Sequence, residues 1–328
     1  MTGAANNTRR QHGVTLVELM IATVLGLLLL LAATGLLLSS KTGYIVQDQA
    51  AEVRETGAYA LGLLARAVRQ AGYEYIDGDT SMAAMTAEAS ANVIGMDAMT
   101  LKKSDAALAS ATARGVVNGS DILAIRFFGD DTGAAGAAVL NCAGLAVAAA
   151  AAGQSAEDVR GWSIFFVAKD AGGEPELRCK YKTKNGWNAD AIARGIESFQ
   201  VLYGIDASGD SVPDRFVRAS QVDMLDDTLV LDGANAAARM ADLNRKTYWK
   251  KVRTIRVALL VRGEEVARDD ALRGEYHLFG EVYSDLHARD DKGVRIVEQD
   301  LPVASRNRIR KIFSQTIQLR NDPAGSAS

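Results

Sequence analysis

One carboxylate stands at the head of an apolar run. Glu18 precedes Leu19–Ser40, a stretch with no charged side chain. A charge in hydrocarbon is costly unless it finds a partner or snorkels to the interface. A second group of oxygen donors lies at Asp206, Ser208, Asp210 and Asp214, with the backbone carbonyl of Val212 between them. Oxygens at alternate positions, with Gly209 to permit a sharp turn, can wrap a hard cation such as calcium, which takes about six to eight of them. Asp, Ser and Gly are also turn formers, so a polar hairpin turn is the competing reading. The only cysteines are Cys142 and Cys179. In an oxidising compartment they would pair, and the chain-entropy model gives such a closed loop about 3–4 kcal/mol. Two free buried thiols are the alternative.

Other chemistry is thinly supplied. The histidines are His12, His277 and His287, with no zinc spacing or nucleophile elbow beside them. The pairs Asp226/Asp227, Asp269/Asp270 and Asp290/Asp291 read as solvated loop charges. An enzyme is therefore not expected. Net charge is −3 over 328 residues, which gives nucleic acid no global attraction. Two local stretches, RKTYWKKVRTIR at 245–256 and RNRIRK at 306–311, do mix cations with aromatics or cluster them. Such stretches can grip a DNA backbone, yet cations on outward strand positions also protect sheet edges. Nucleic acid is not the expected partner.

These groups need elements to hold them. Leu19–Ser40 would span roughly 33 Å as helix, enough to cross a membrane. Arg9, Arg10 and His12 lie upstream, which keeps the N-terminus cytoplasmic and exports the rest. A cleaved secretory signal would have a shorter apolar region and then a turn; here a helix-compatible pattern continues. Leu61, Leu64, Ala65 and Val68 recur at three-four spacing, and Gly72 is a stop signal. One helix from Val14 to Ala71 follows, membrane-spanning over 14–40 and amphipathic over 41–72. Gly26, Gly35, Gly43, Gly57 and Gly62 are its soft points. Residues 73–321 read as a β-rich domain. Its mixed, turn-rich start precedes an Ala/Gly-rich insertion at 129–157 with a short helix expected at 143–152, and 322–328 form a flexible tail. Strands are expected at DILAIRFF with Leu123, Ile125 and Phe127 on one face, at WSIFFVAK, LRCKYKT, IESFQVLYGI and RTIRVALLVR, at YHLFGEVY, and at IRKIFSQTIQLR. In RTIRVALLVR, Ile255, Val257, Leu259 and Val261 point inward and Arg256 and Arg262 outward. In the last strand, Ile309, Phe313, Ile317 and Leu319 oppose Arg310, Ser314, Thr316 and Gln318. The plan is α+β: an antiparallel sheet wrapped on the second half of a long N-terminal helix.

Residues 13–22, GVTLVELMIA, resemble the class III signal of type IV prepilins. That signal is a basic leader ending in glycine, then an apolar residue, often threonine, and glutamate at the fifth mature position. Gly13, Val14, Thr15 and Glu18 fill those places; the departure is Val14, where the family usually has phenylalanine. The resemblance implies a leader of residues 1–13, cleavage between Gly13 and Val14 by prepilin peptidase, and N-methylation of Val14. It also implies that Glu18 neutralises the freed Val14 amine of a neighbouring subunit, with Val14, Thr15 and Glu18 setting assembly register. An intrachain Val14–Glu18 pair is the alternative.

The remainder resembles the PilW family of minor pilins through GSDILAIRFFG at 119–129, IESFQVLYGIDASGDSVPDRFV at 196–217, WKKVRTIRVALLVRG at 249–263 and RIRKIFSQTIQLRN at 308–321, in that order. A type II secretion minor pseudopilin of the GspJ type shares leader and helix, and a DNA-contacting pilin is a further alternative. The PilW resemblance implies a structural subunit of the priming and tip complex. Its partners would be other minor pilins, the major pilin, prepilin peptidase, the inner-membrane assembly platform and a tip adhesin. Its location would be the inner membrane, single-pass with the C-terminal domain periplasmic, and then the fibre. No cofactor is required by it. Calcium loops are common in such chains, but here Ser208 and Ser211 replace an Asp and a Gly of the pattern, and Val217 stands where a bidentate Glu would.

Overall fold

The computed structural model describes residues 13–74, 86–130, 139–149, 154–268 and 274–321. Residues 1–12 of the leader, the tail 322–328, Asp269 and Asp270, and 131–138 and 150–153 of the insertion lie outside the described residues. The chain divides into two units, Met1–Asp48 and Gln49–Ser328.

In order, the elements are α1 (Leu16–Gln70), β1 (Val93–Met96), β2 (Ile122–Phe127), α2 (Ala156–Val159), β3 (Gly161–Lys169), β4 (Pro175–Thr183), β5 (Gly186–Arg194), β6 (Ile196–Ile205), β7 (Arg215–Val217), α3 (Ala219–Asp226), α4 (Ala236–Lys246), β8 (Val252–Val266), β9 (Glu275–His277), α5 (Glu281–His287), β10 (Arg295–Val297) and β11 (Arg308–Gln318). α1 stays helical through all five of its glycines. Its apolar stretch has no side chain buried.

From Gln49 onward α1 is amphipathic. Its buried seam is Gln49, Val53, Gly57, Ala60, Leu64, Ala67 and Val68, a spacing of three and four. Leu61, expected on that seam, sits at its flank and is only partly buried. The helix stops where Gly72 adopts φ +67°, the left-handed conformation that ends many helices. Asn321 Nδ2 then donates to the Ala71 carbonyl at 2.9 Å.

The expected single sheet is two larger sheets and a small one, all antiparallel. One is a meander, β1-β2-β3-β4-β5, and the other has the order β11-β8-β6-β7; β9 and β10 form the third. WSIFFVAK lies in β3, the middle strand of the meander. In the second sheet Phe199, Leu259 and Phe313 stand in one cross-strand row. Both sheets turn their inner faces to the helix seam and share one core, with Leu123, Phe127 and Phe165 from one and Phe199, Val257 and Ile317 from the other.

Four expectations need correcting. The outer face of β8 is not solvent-facing: Ala258 and Leu260 pack under Leu278, Phe279, Ile296 and Leu301. Arg256 lies over the Phe279 ring at 5.4 Å, and Arg262 and Arg310 are buried. All six residues of β2 are buried, because Leu101 and the segment around Leu108 cover its second face. YHLFGEVY is strand only to His277; Gly280 turns at φ +95° and α5 follows. The described part of 143–152 is a turn with a bridge between Leu140 and Ala146, not a helix.

Candidate functional site

The N-terminal unit builds its chemistry from one turn of helix. Thr15 is the residue before α1. Its hydroxyl oxygen accepts from the Glu18 N–H at 3.3 Å, and the Glu18 carboxylate oxygen Oε2 accepts from the Thr15 N–H at 3.0 Å and from its hydroxyl at 3.1 Å. This reciprocal pair is a capping box, which satisfies two of the N–H groups that every helix start leaves open. The bonds given to the carboxylate all fall on Oε2. Gly13 is exposed, with open space around its Cα. Downstream, Leu16, Val17, Leu19, Met20 and Ile21 through Leu38 present an exposed apolar surface on every side, the pattern of a helix whose solvent is lipid.

In the second unit, Cys142 and Cys179 form a disulfide with Cα atoms 5.8 Å apart. It ties the segment Leu140–Ala146 to β4, and the Ser163 hydroxyl oxygen accepts from the Cys142 N–H at 2.9 Å.

The loop after β6 uses its oxygens internally. Asp206 Oδ1 accepts from the Gly209 N–H at 2.6 Å and the Ser208 hydroxyl at 3.3 Å. Its Oδ2 accepts from the Ser211 N–H at 2.9 Å and from Arg253 at 3.4 Å. Asp214 accepts from the N–H groups of Ala207 and Ser208, and Asp210 from that of Val212. The backbone N–H bonds and Arg253 hold the Asp206 carboxyl below its ordinary range against the opposing effect of desolvation, the largest single influence. Asp206, Ser208, Asp210, Val212 and Asp214 thus share one loop, and its carboxylates are turned onto the backbone as a hairpin needs. Among the described residues no set of three or more His, Cys, Asp or Glu side chains is grouped to hold a metal ion.

Several side chains of the cationic stretches are engaged within the fold. Trp249 is buried against Tyr203 with ring centroids 4.9 Å apart, Arg245 pairs with Glu88, and Lys246 pairs with Asp232 and Asp242. In 306–311, Arg310 is fully buried and clasps Glu197 with two bonds of 2.6 and 3.0 Å. The expected solvated acids also differ. Asp226 accepts from the Thr247 hydroxyl and the Tyr248 N–H. Asp291 is buried and accepts from the Tyr283 hydroxyl at 2.8 Å; burial pushes its carboxyl up to about 6. His287 packs on the Tyr283 ring, and His277 lies 3.6 Å from Glu275.

Residues 8–34 match the prokaryotic N-terminal methylation motif, and residues 164–321 match the family described as type IV pilus-assembly protein W, PilW. The two matches together support a type IV pilus minor pilin of PilW type. A type IV-like pilin from Thermus thermophilus is 14% identical, over 82% of this chain and 95% of its own, with a TM-score of 0.35. Comparison with curated proteins gives no match. As a PilW-type pilin the chain is a structural subunit anchored through its N-terminal helix, and other pilins and prepilin peptidase are its interaction partners.

Sequence reasoning placed Thr15 and Glu18 through a family motif but missed their hydrogen-bonded box. The threonine-x-x-glutamate spacing before an apolar run was the available signal. It also missed Glu197, whose position inside an otherwise apolar strand, IESFQVLYGI, was the hint of a buried ion pair.

Proposed function

We infer that this pilin works in the small complex that primes fibre assembly and remains at the tip, with minor pilins as lateral neighbours and major pilin added beneath. The observation that carries the reading is Glu18, held at the start of a helix whose first half, to Leu38, offers an exposed apolar surface to its surroundings. Removal of residues 1–13 leaves an amine on Val14, one residue from the Thr15 N–H that Glu18 accepts from. A buried acid and a buried amine each cost less together than apart. The carboxylate is thus positioned for its own amine first and a neighbour's afterwards, and the exchange sets axial register as the helix leaves the membrane. The N-terminus is cytoplasmic and the second unit periplasmic; the assembly platform and a tip adhesin complete the partners.

Two variants test this. Gly13→Ser is expected to block processing, and a wild-type mobility shift in that variant would argue against the leader. Glu18→Ala is expected to insert in the membrane normally but fail to enter fibres; normal piliation would remove Glu18 from assembly. Intact-mass measurement of the mature protein should show loss of residues 1–13 and a methyl group on Val14.

A further inference from the structure

A pocket of about 300 Å³ opens where the two larger sheets meet, beside Gly195. Arg194, Arg262 and Arg308 line it, with Asp170, Glu174 and Glu264. Gly195 adopts φ +72° and brings its backbone against the Arg262 carbonyl, so the joint between β5 and β6 fixes the arginines in place. The Arg262 side chain is 2% exposed, and its Nη1 has no hydrogen-bond partner among the described residues, nor has Arg308 Nε. A buried guanidinium N–H without an acceptor is costly, because it has given up water and gained nothing in exchange. Asp170 is occupied elsewhere: its Oδ1 accepts from the N–H groups of Gly172 and Glu174 in the hairpin between β3 and β4. Glu174, at the end of that hairpin, is half-exposed; its Oε2 pairs with Arg262 and lies 3.6 Å from Arg308 Nη1.

We propose that this pocket is an oxyanion-binding site in which Glu174 is the resident occupant and an incoming carboxylate or phosphate takes its place. The guanidinium groups of Arg262 and Arg308 present fixed forks suited to paired oxygens. Exchange of one anion for another preserves the charge balance of the pocket, whereas adding an anion beside Glu174 would not. Glu174 is on a turn with half its side chain in solvent, so its departure disturbs no core. The incoming group then accepts from Arg262 Nη1 and Arg308 Nε, the two donors Glu174 leaves unmet. The site stands independently of the assembly reading.

The test uses the full chain in detergent micelles, followed by thermal unfolding. One arm titrates inorganic phosphate against chloride at matched ionic strength; the other titrates an acetylated, amidated Glu-Glu peptide. Saturable stabilisation is expected, with Glu174→Gln binding roughly ten-fold more tightly than wild type and Arg308→Gln losing the effect. Stronger response to phosphate identifies a free anion as ligand; stronger response to the peptide identifies an acidic protein segment. Absence of saturable binding by Glu174→Gln in both arms overturns the proposal, and so does undiminished binding by Arg308→Gln, which would place the anion elsewhere.

Discussion

The ring of Phe313 on β11 packs against Gly57 on α1, so closely that a Cβ on residue 57 would overlap its ring carbons. Gly57 is thus not a soft point of the helix but a place of close approach between helix and sheet. Gly62, one turn on, faces open space. Gly62→Ala should therefore raise stability by up to about 1 kcal/mol through helix propensity. Gly57→Ala should lower it, by about 1–3 kcal/mol as overpacking does. Adding Phe313→Leu to Gly57→Ala should recover part of the loss. Thermal unfolding of the four chains measures all of this.

Glu197 and Arg310 form a buried pair inside a larger cluster: Glu298 lies 3.0 Å from Arg310 Nη1, and Arg262 Nε lies 3.1 Å from Glu197 Oε1. Arg310→Met alone takes the two-bonded guanidinium from Glu197 and leaves it only the single contact to Arg262, and is expected to cost about 3–5 kcal/mol. Replacing Glu197 and Arg310 together with Leu and Met should cost much less than the sum of the single changes. A double-mutant cycle by denaturant unfolding decides it.

Reduction of the Cys142–Cys179 bond should remove about 3–4 kcal/mol by the chain-entropy model. It should also expose the segment around Leu140–Ala146 to proteolysis while leaving the membrane helix intact. Limited proteolysis with and without reductant is the check. Mass measurement of the unreduced chain should show two hydrogens fewer than the reduced one.

Asp291 gives stability a pH dependence of known sign. Its folded value, pushed up to about 6 chiefly by burial, exceeds the value of an unfolded aspartate, about 3.9. Its contribution is therefore fully present below about pH 4 and lost as pH rises through about 6. Asp121, buried beside Asp97 and Asp291, is shifted in the same direction. The difference in melting temperature between Asp291→Asn and wild type should thus grow in the variant's favour from pH 4 to 7. A constant difference would show that Asp291 does not titrate there.

The carboxylates of the 206–214 loop are turned onto backbone N–H groups, so millimolar calcium is expected to leave the melting temperature unchanged. Asp206→Ala should lower it with or without calcium. A calcium-dependent rise abolished by Asp206→Ala would establish the cation reading instead.

What the chain disclosed by itself follows from periodicity. The alternation in RTIRVALLVR identified the core face of β8, and β6 matches its expected bounds because IESFQVLYGI ends in a polar loop. Periodicity names the residues that share a face; it does not say whether the opposite face is covered. Ala258 and Leu260 were apolar on the supposed outer face, and that was the trace of the Leu278–Leu301 segment packed there. The arginines were misplaced for the same reason. A guanidinium set against a carboxylate far away in sequence, as Arg310 is against Glu197, looks solvated until the strands are paired. At the N-terminus, Thr15 and Glu18 were singled out through a family motif, while the box they form on one helical turn was not read.

That same turn has a further consequence. Thr15 and Glu18 close the helix start through bonds between themselves. Both lie on the mature side of the bond after Gly13, so a peptidase can sever that bond and the box keeps both its members. Trimming alters the electrical character of the chain end and leaves its shape alone, so maturation and refolding need not be coupled.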